Sequence, residues 1–536
     1  MLLFHPLGER KAVEELNMKR KRCPSTEKKN CLLLDLEYTI AQEKQGTRFA
    51  GLPVFFELGL VLGIKESVEK HIPCRRECDG WKAWEIIIAL ILLNLAGGEH
   101  IEDIEVLERD RGLAEMMFRV RYKDRKERRR HFRSWRKGRE RAFPSKSTIK
   151  RFLYKFHNEE QEKERERANR EGWKAFVPEP NENLKGLAKI NGELIYRVAS
   201  LVGYSRLANI DIDATLIQSE KLEAYYTYKG YKGYQPISVW WHDLGLVLYT
   251  EFRDGNVPAG WQILRVTKDA LRWLPNDIEH LRVRSDSAGY QHDFMRYLDS
   301  NCEGRFKTVE FAIGCDVVED FKRAVEEVKS KEWRRICKVD KYGEPYFMSE
   351  ECADVCYVPN EVARKKDGYT PRYIAIRQAL EPTLPEMPEP TLPFPTMHME
   401  KRRYKVHGIA TNTKMEPEDV VKWYHNRSGK SEEFHHIVKH ELAGGVMPCG
   451  RFGANAAWWW IAVISHNLFV AMKLLALPKK WKNKRVKALR LYLTNLPGRI
   501  VTHARRLTIK LTCPRPLAEL VVYAHERIQE LAWGYT

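Results

Sequence analysis

Three acidic residues, each inside a short signature of its own, carry most of the chemistry in this chain. They are Asp213 in NIDIDAT, Asp286 in VRSDSAGY and Glu432 in WYHNRSGKSEEFHHIVKH. Carboxylates converging from distant segments supply hard oxygen ligands for Mg2+ or Mn2+. Two such ions about 3.5–4 Å apart can serve the attacking and leaving oxygens of a phosphodiester. Taken singly, Asp213 reads as a turn or salt-bridge residue and Asp286 as a helix N-cap. The chemical reading rests on the combination of the three with a strongly basic chain.

Each acid needs an element to hold it. LANIDIDATLI alternates as a strand, which puts Asp211 and Asp213 on one face and leaves Asp211 as the alternative ligand. LRVRSDSAGY is a strand that ends at Asp286 and turns through Ser287-Ala288-Gly289, and ligands bind at the carboxyl ends of strands in open α/β sheets. Glu432 falls in a helical stretch. Tyr424 and Arg427 stand one turn apart there, and Glu432 and Lys439 stand two turns apart on one face. An acid in that company can bind metal while its neighbours clamp phosphates. Glu433 points about 100° away and is the weaker alternative. Glu319 and Asp320, much closer to Asp286 in sequence, are the rivals for the third position. His435 and His436 are candidate DNA contacts.

The chain has 536 residues, 43% of them hydrophobic, enough for two to four domains with real cores. Its 92 Lys and Arg against 73 Asp and Glu give a net charge of +19, which predicts an acidic polymer as partner. From Arg119 to Arg151 there are 16 cations and 3 acids, interleaved with aromatics, and phosphate-backbone contact is the favoured reading. The 11 scattered cysteines and the lack of a secretory signal predict reduced thiols and a cytoplasmic, nucleoid-associated protein. Cys74/Cys78 and Cys352/Cys356 lack zinc-knuckle spacing. The apolar stretches 84–98 and 454–477 are expected to be buried core helices, without a membrane partner.

Residues 1–45 read as a basic, loosely ordered leader and 46–175 as an all-helical DNA-binding region. Pro144-Ser145-Lys146-Ser147 starts a short helix that presents Lys146, Lys150 and Arg151 to DNA, with Ser145 or Ser147 as cap. Strands, a hairpin in PISVWWHDLGLVLYTEFR and strand–helix alternation follow across 176–317, predicting a mixed sheet flanked by helices, an α/β core. Residues 318–405 depart from that alternation; they read as a β-rich insertion with a proline-rich run at 381–396. The core resumes over 406–480, and 481–536 forms a helical C-terminal region that includes the basic strand-like segment GRIVTHARRLTIKL. Lys229 and Lys232 in YKGYKGYQP, close in sequence to Asp213, are candidate phosphate contacts.

These residues resemble a bacterial insertion-sequence transposase with an RNase H-like DDE catalytic domain, of the subgroup whose last glutamate sits in a Tyr-x2-Arg-x3-Glu-x6-Lys signature. The resemblance runs through AGLPVFFELGLVLG, STIKRFL, YKGYKGYQP, EFRDGNVPAG, SDSAGY, KSEEFHHIVKHELAGGVMP and FGANAAWWWIAVISHNLF. It implies an RNase H-like core and two divalent ions (Mg2+ or Mn2+) on Asp213, Asp286 and Glu432. It also implies that Tyr424, Arg427 and Lys439 hold the strand end, and that a homodimer acts on paired terminal inverted repeats and target DNA. The implied reaction is cleavage at element ends and strand transfer, of cut-and-paste type. Four residues rather than three separate Arg427 from Glu432, and the Arg-rich run 119–141 is enlarged for such a family.

Overall fold

A computed structural model describes residues 46–536 except 74–79, 123, 173–174, 341, 360–367, 382–389, 401, 428, 504–505 and 534–536. The leader expected over 1–45, Cys74 and Cys78, and the middle of the proline-rich run lie outside the described residues.

After a two-residue strand β1 (Gly46–Thr47), the N-terminal region is helical. It comprises α1 (Leu52–Val61), α2 (Ile64–His71), α3 (Ala83–Ala96), α4 (Ile104–Glu108), α5 (Arg111–Arg121), α6 (Arg125–Arg136), α7 (Lys146–Tyr154), α8 (Glu159–Arg170) and α9 (Glu182–Val202). Polar side chains start several of them. Asp110, Asp124, Ser145, Asn158 and Asn181 each accept hydrogen bonds from backbone N–H groups of the first turn they cap. Ser145, not Ser147, caps α7, accepting from Thr148 N at 3.2 Å. Twelve of the fourteen residues of α3 are buried, so its run of Ile and Leu has no polar face to alternate with.

The sheet begins with β2 (Leu207–Ala214). The chain then forms a small side sheet from β3 (Ile217–Gln218), β4 (Tyr225–Tyr226) and β5 (Lys232–Tyr234), followed by the hairpin β6 (Ile237–Trp241) and β7 (Leu246–Glu251). The hairpin turns through Gly245 at φ 72°, a left-handed conformation that glycine adopts without strain. Next come α10 (Ile263–Leu271), β8 (His280–Ser285), α11 (His292–Asp299), β9 (Thr308–Cys315) and α12 (Glu319–Glu326). Strands β10 (Arg334–Val339), β11 (Pro345–Val355), β12 (Arg372–Ala379), β13 (Thr396–Met399) and β14 (Arg402–Thr411) complete the sheet. Among the described residues it has the order β10-β11-β12-β14-β9-β8-β2-β6-β7, with β13 beside β14. Strands β2, β8 and β9 run parallel, and the remaining neighbours are antiparallel. The strands of 318–405 continue this sheet through β14.

Helices α13 (Pro417–His425), α14 (Lys430–His436), α15 (Phe452–Ala471) and α16 (Arg515–Trp533) follow, and the hairpin β15 (Gly498–His503) and β16 (Arg506–Leu511) precedes α16. All twenty residues of α15 are buried, although the helix is long and apolar enough to cross a membrane. Its polar positions are partnered inside the protein. Asn455 donates to Tyr234 Oη at 3.2 Å and Asn467 to Asn191 Oδ1 at 2.7 Å, while Ser465 donates to Ile461 O at 2.8 Å.

Candidate active site

The parallel register of β2 and β8 decides which charges meet. Asp211 lies opposite Arg284 and Ile212 opposite Ser285, so the next step up brings Asp213 beside Asp286 at the carboxyl ends of neighbouring strands. Such strands run about 4.8 Å apart. One layer of the ladder therefore pairs opposite charges and the next pairs like ones.

The lower layer is closed. Arg284 donates from Nε to Asp211 Oδ1 at 2.7 Å and from Nη2 to Asp211 Oδ2 at 2.9 Å. Both side chains are buried, at 2% and 0% exposure. His242 Nδ1 lies 2.7 Å from Asp211 Oδ2, and Arg284 Nη1 donates to Trp423 O at 2.6 Å. Asp211, the alternative ligand of the sequence reading, thus has its charge consumed by a bidentate cation. The same guanidinium pins the last turn of α13, next to Tyr424.

The upper layer is open. Burial pushes the Asp286 carboxyl above its ordinary value, and the charge of Asp213 pushes it the same way, against the pull of Arg427. For Asp213, burial also acts upward, but His435 and Arg427 outweigh it and hold the carboxyl below its ordinary value. Arg427 Nη1 stands 3.6 Å from Asp213 Oδ2 and His435 Nε2 stands 3.7 Å from it, both too long for hydrogen bonds. Consistent with that, Arg427 Nε and Nη1 and both ring nitrogens of His435 are buried without a hydrogen-bond partner. A loosely packed, half-buried polar site with two adjacent carboxylates results. Asp286 also caps its own turn, accepting from Ala288 N at 3.1 Å.

Tyr424 is buried at this cleft. Its hydroxyl packs over Gly314 of β9, where a Cβ would come within 2.7 Å of the Tyr424 oxygen and 3.2 Å of Ser287 N. Glycine at 314 is what lets the tyrosine reach the Asp286–Ser287 peptide. Lys439 Nζ donates to Leu216 O, just past the end of β2, at 3.2 Å. Burial and the nearby charge of Lys229 lower its ammonium below the ordinary value. Lys229 is exposed, and Lys232 donates to Leu222 O at 2.8 Å.

The third acid is placed differently. Gly429, at φ 85°, separates α13 from α14, and the new helix buries Ser431, Phe434 and His435. That phase turns Glu432 outward to solvent and His435 inward to Asp213. Glu433 pairs with Arg485 at 3.2 Å. Glu319 and Asp320 pair on α12 with Lys322 and Arg323, away from the two aspartates. No group of three His, Cys, Asp or Glu gathers as a metal cage among the described residues. Asp213 and Asp286 suit a divalent cation by donor type and shared negative charge, and Glu432 as placed adds no third oxygen. Lys146 and Arg151 are exposed on α7, and Lys150 approaches Glu102 at 3.9 Å. This helix stands apart from the acids in every contact described.

Sequence reasoning missed the inward role of His435, because helix phase after a left-handed glycine is invisible in the local pattern. It also missed Arg284, whose only signal was its place two residues before Asp286, as Asp211 stands two before Asp213.

Fold and site thus define a mixed α/β protein with a paired-acid cleft at the carboxyl ends of parallel strands. The family model for the transposase DDE domain, group 1, matches residues 40–533, and the chain belongs to this family. It is a transposase of the DDE class, a class that generally uses divalent metal ions. Among solved structures it is similar to the cryo-EM structure of the piggyBac transposase synaptic complex with hairpin DNA, at 11% identity, over 90% of this chain and 88% of that one, with a TM-score of 0.40. No curated protein matches the chain.

Proposed function

We propose that this transposase is a metal-dependent DNA strand transferase that cleaves element ends and joins them to target DNA by a cut-and-paste route. The observation that carries the reading is the closeness of Asp213 and Asp286, one step beyond the Ile212–Ser285 register pair, in a chain of the DDE family. The strand order β7-β6-β2-β8-β9, with β2, β8 and β9 parallel, supports an RNase H-like core.

In this reading Asp213 and Asp286 hold divalent metal, Mg2+ or Mn2+, with Glu432 as the third acid. The assignment of Glu432 rests on its signature, including Lys439 seven residues on, rather than on its placement. Bound metal would activate a water or the DNA's own 3′-hydroxyl as nucleophile and neutralise charge at the phosphodiester. The chain's own residues do the rest. Arg284 fixes the end of α13 so that the Tyr424 hydroxyl sits beside the Asp286 turn. Arg427 and Lys439 bring cations to the cleft mouth, where Lys229 adds a third, and together they hold the strand end against the acids. Lys232 lies farther along the same side sheet. Lys146, Lys150 and Arg151 on α7 contact terminal-repeat DNA, and a homodimer pairs the two ends. We place this activity in the cytoplasm, at the nucleoid.

Two observations favour a second reading, a DNA-binding protein derived from a transposase that has lost catalysis. Glu432 faces solvent, and the Arg427 guanidinium stands next to Asp213. A plasmid-integration assay with the purified chain, Mg2+ and duplexes from the DNA flanking its gene separates the possibilities. Joined products are expected. Cleavage without joining would mean a nuclease or resolvase, and binding without cleavage would mean the inactive form.

A further inference from the structure

The Arg-rich run is not used by the site described above. Within it α6 has two opposite faces. At about 100° per residue, His131, Phe132 and Trp135 share one side. That side is anchored. His131 stacks on Tyr122 at 3.9 Å, Phe132 packs edge-on against Phe118 at 6.2 Å, and Trp135 Nε1 donates to Glu108 Oε1 at 2.9 Å. The other side carries Lys126, Arg129, Arg130, Arg133 and Lys137, at spacings of three, one, three and four residues. These fall on a stripe spanning about 100° of the helix.

With Arg139 and Ser134 these cations line a hollow of about 420 Å3 that has no carboxylate in its wall. All six cations are exposed, and none of their side chains makes an ion pair or hydrogen bond among the described residues. Like charges at helical spacing repel, so the face is built against its own stability and is relieved when a polyanion neutralises it.

We propose that this face is a docking strip for the sugar-phosphate backbone of duplex DNA, independent of base sequence and separate from the cleavage cleft. The inference rests on the reading of the chain as a transposase that acts on DNA. The lining contains no Asn or Gln to read base edges, and the helix's aromatic rings are committed to the anchored side. The face therefore has no amide to read adenine and no ring to stack on unpaired bases, and its arginines and lysines are left for phosphates. The apolar side that an interfacial membrane helix would insert is already packed on α5. What remains is a rigid row about 18 Å long facing a polymer with one charge per about 1.7 Å of axis.

The test is fluorescence anisotropy of the full chain on a random-sequence duplex and on an element-end duplex, from 50 to 200 mM KCl. The probe variant carries Arg129→Gln, Arg130→Gln and Arg133→Gln. Each released counterion contributes about 0.9 to the slope of log affinity against log salt, so the slope should become shallower by about 2 to 3. The wild-type chain would then lose about 40-fold more affinity than the variant across that range. The effect should be equal on both duplexes, and the corresponding triple Arg→Lys variant should retain the wild-type slope. An unchanged slope in a folded variant, a loss confined to the element-end duplex, or a loss on phosphatidylserine vesicles or RNA with duplex binding intact would each overturn the strip. Should the triple Gln variant not fold, Lys126→Gln with Lys137→Gln gives the same reading with a change of about 2. A chain that shows the expected slopes but never cleaves DNA would sink the transferase reading and leave the strip standing.

Discussion

Asp211 and Asp213 sit two residues apart on one face of β2, and the structure gives them opposite jobs. Asp211 is fully buried and bound bidentately by Arg284, itself 2% exposed. Replacing it with Asn keeps the shape but leaves a buried guanidinium without its counter-charge, a change that costs about 3–5 kcal/mol. Arg284→Met should cost a similar amount, because it strands the carboxylate and releases Trp423 O. In the double variant the two losses should fall short of their sum by at least about 2 kcal/mol, since the charges are removed together. Asp213→Asn removes a carboxylate that has no close hydrogen-bonding cation and that repels Asp286. Its stability should stay within about 1 kcal/mol of the parent, while metal-dependent cleavage disappears. Urea unfolding followed by tryptophan fluorescence reads these differences, with Trp240 and Trp423 beside the network. A loss below about 1 kcal/mol for Asp211→Asn, or an equal loss for Asp213→Asn, would refute the division of labour.

Three further outcomes follow from the same geometry. Gly314→Ala pushes a methyl against the Tyr424 hydroxyl and should cut cleavage about 100-fold without unfolding the chain. Adding Tyr424→Phe should make the double variant no worse than Tyr424→Phe alone in the same cleavage assay. Arg165 of α8 clamps buried Asp254 with bonds of 2.7 and 2.9 Å, tying the helical region to the loop after β7. Arg165→Met should therefore cost about 3–5 kcal/mol in urea unfolding. Burial works to raise the Glu193 carboxyl, but hydrogen bonds from Lys70, Ser67 and His71 overcome it and lower the group from 4.5 to about 2. Its ionised form thus stabilises the fold above pH 4.5, and that contribution is lost as pH falls toward 2. Glu193→Gln should remove this pH dependence. The difference from wild type should be no more than about 1 kcal/mol, because Lys70 is largely exposed.

Much of the core was legible locally. The β6–β7 hairpin, the strand ending at Asp286 and the capped α7 all follow from alternation, turn residues and cap chemistry. What local pattern does not carry is long-range register. The ladder that joins Asp211 to Arg284 and Asp213 to Asp286 exists only once β2 and β8 run parallel in step. The strands of 318–405 read as a β-rich insertion into the core, but their place in its sheet rests on pairing through β14 to β9, across about a hundred residues of chain. The spacing of Glu432 to Lys439 reads as one face of a continuous helix, but the break at Gly429 resets the phase and turns His435, not Glu432, toward Asp213.

The central claim is that the half-buried Asp213–Asp286 pair performs the chemistry of this transposase. It is met most directly by Asp286→Ala in an element-end cleavage assay with Mg2+, alongside a binding measurement on the same duplex. The account expects end binding like that of the parent chain and no strand cleavage. Cleavage retained in Asp286→Ala would contradict it.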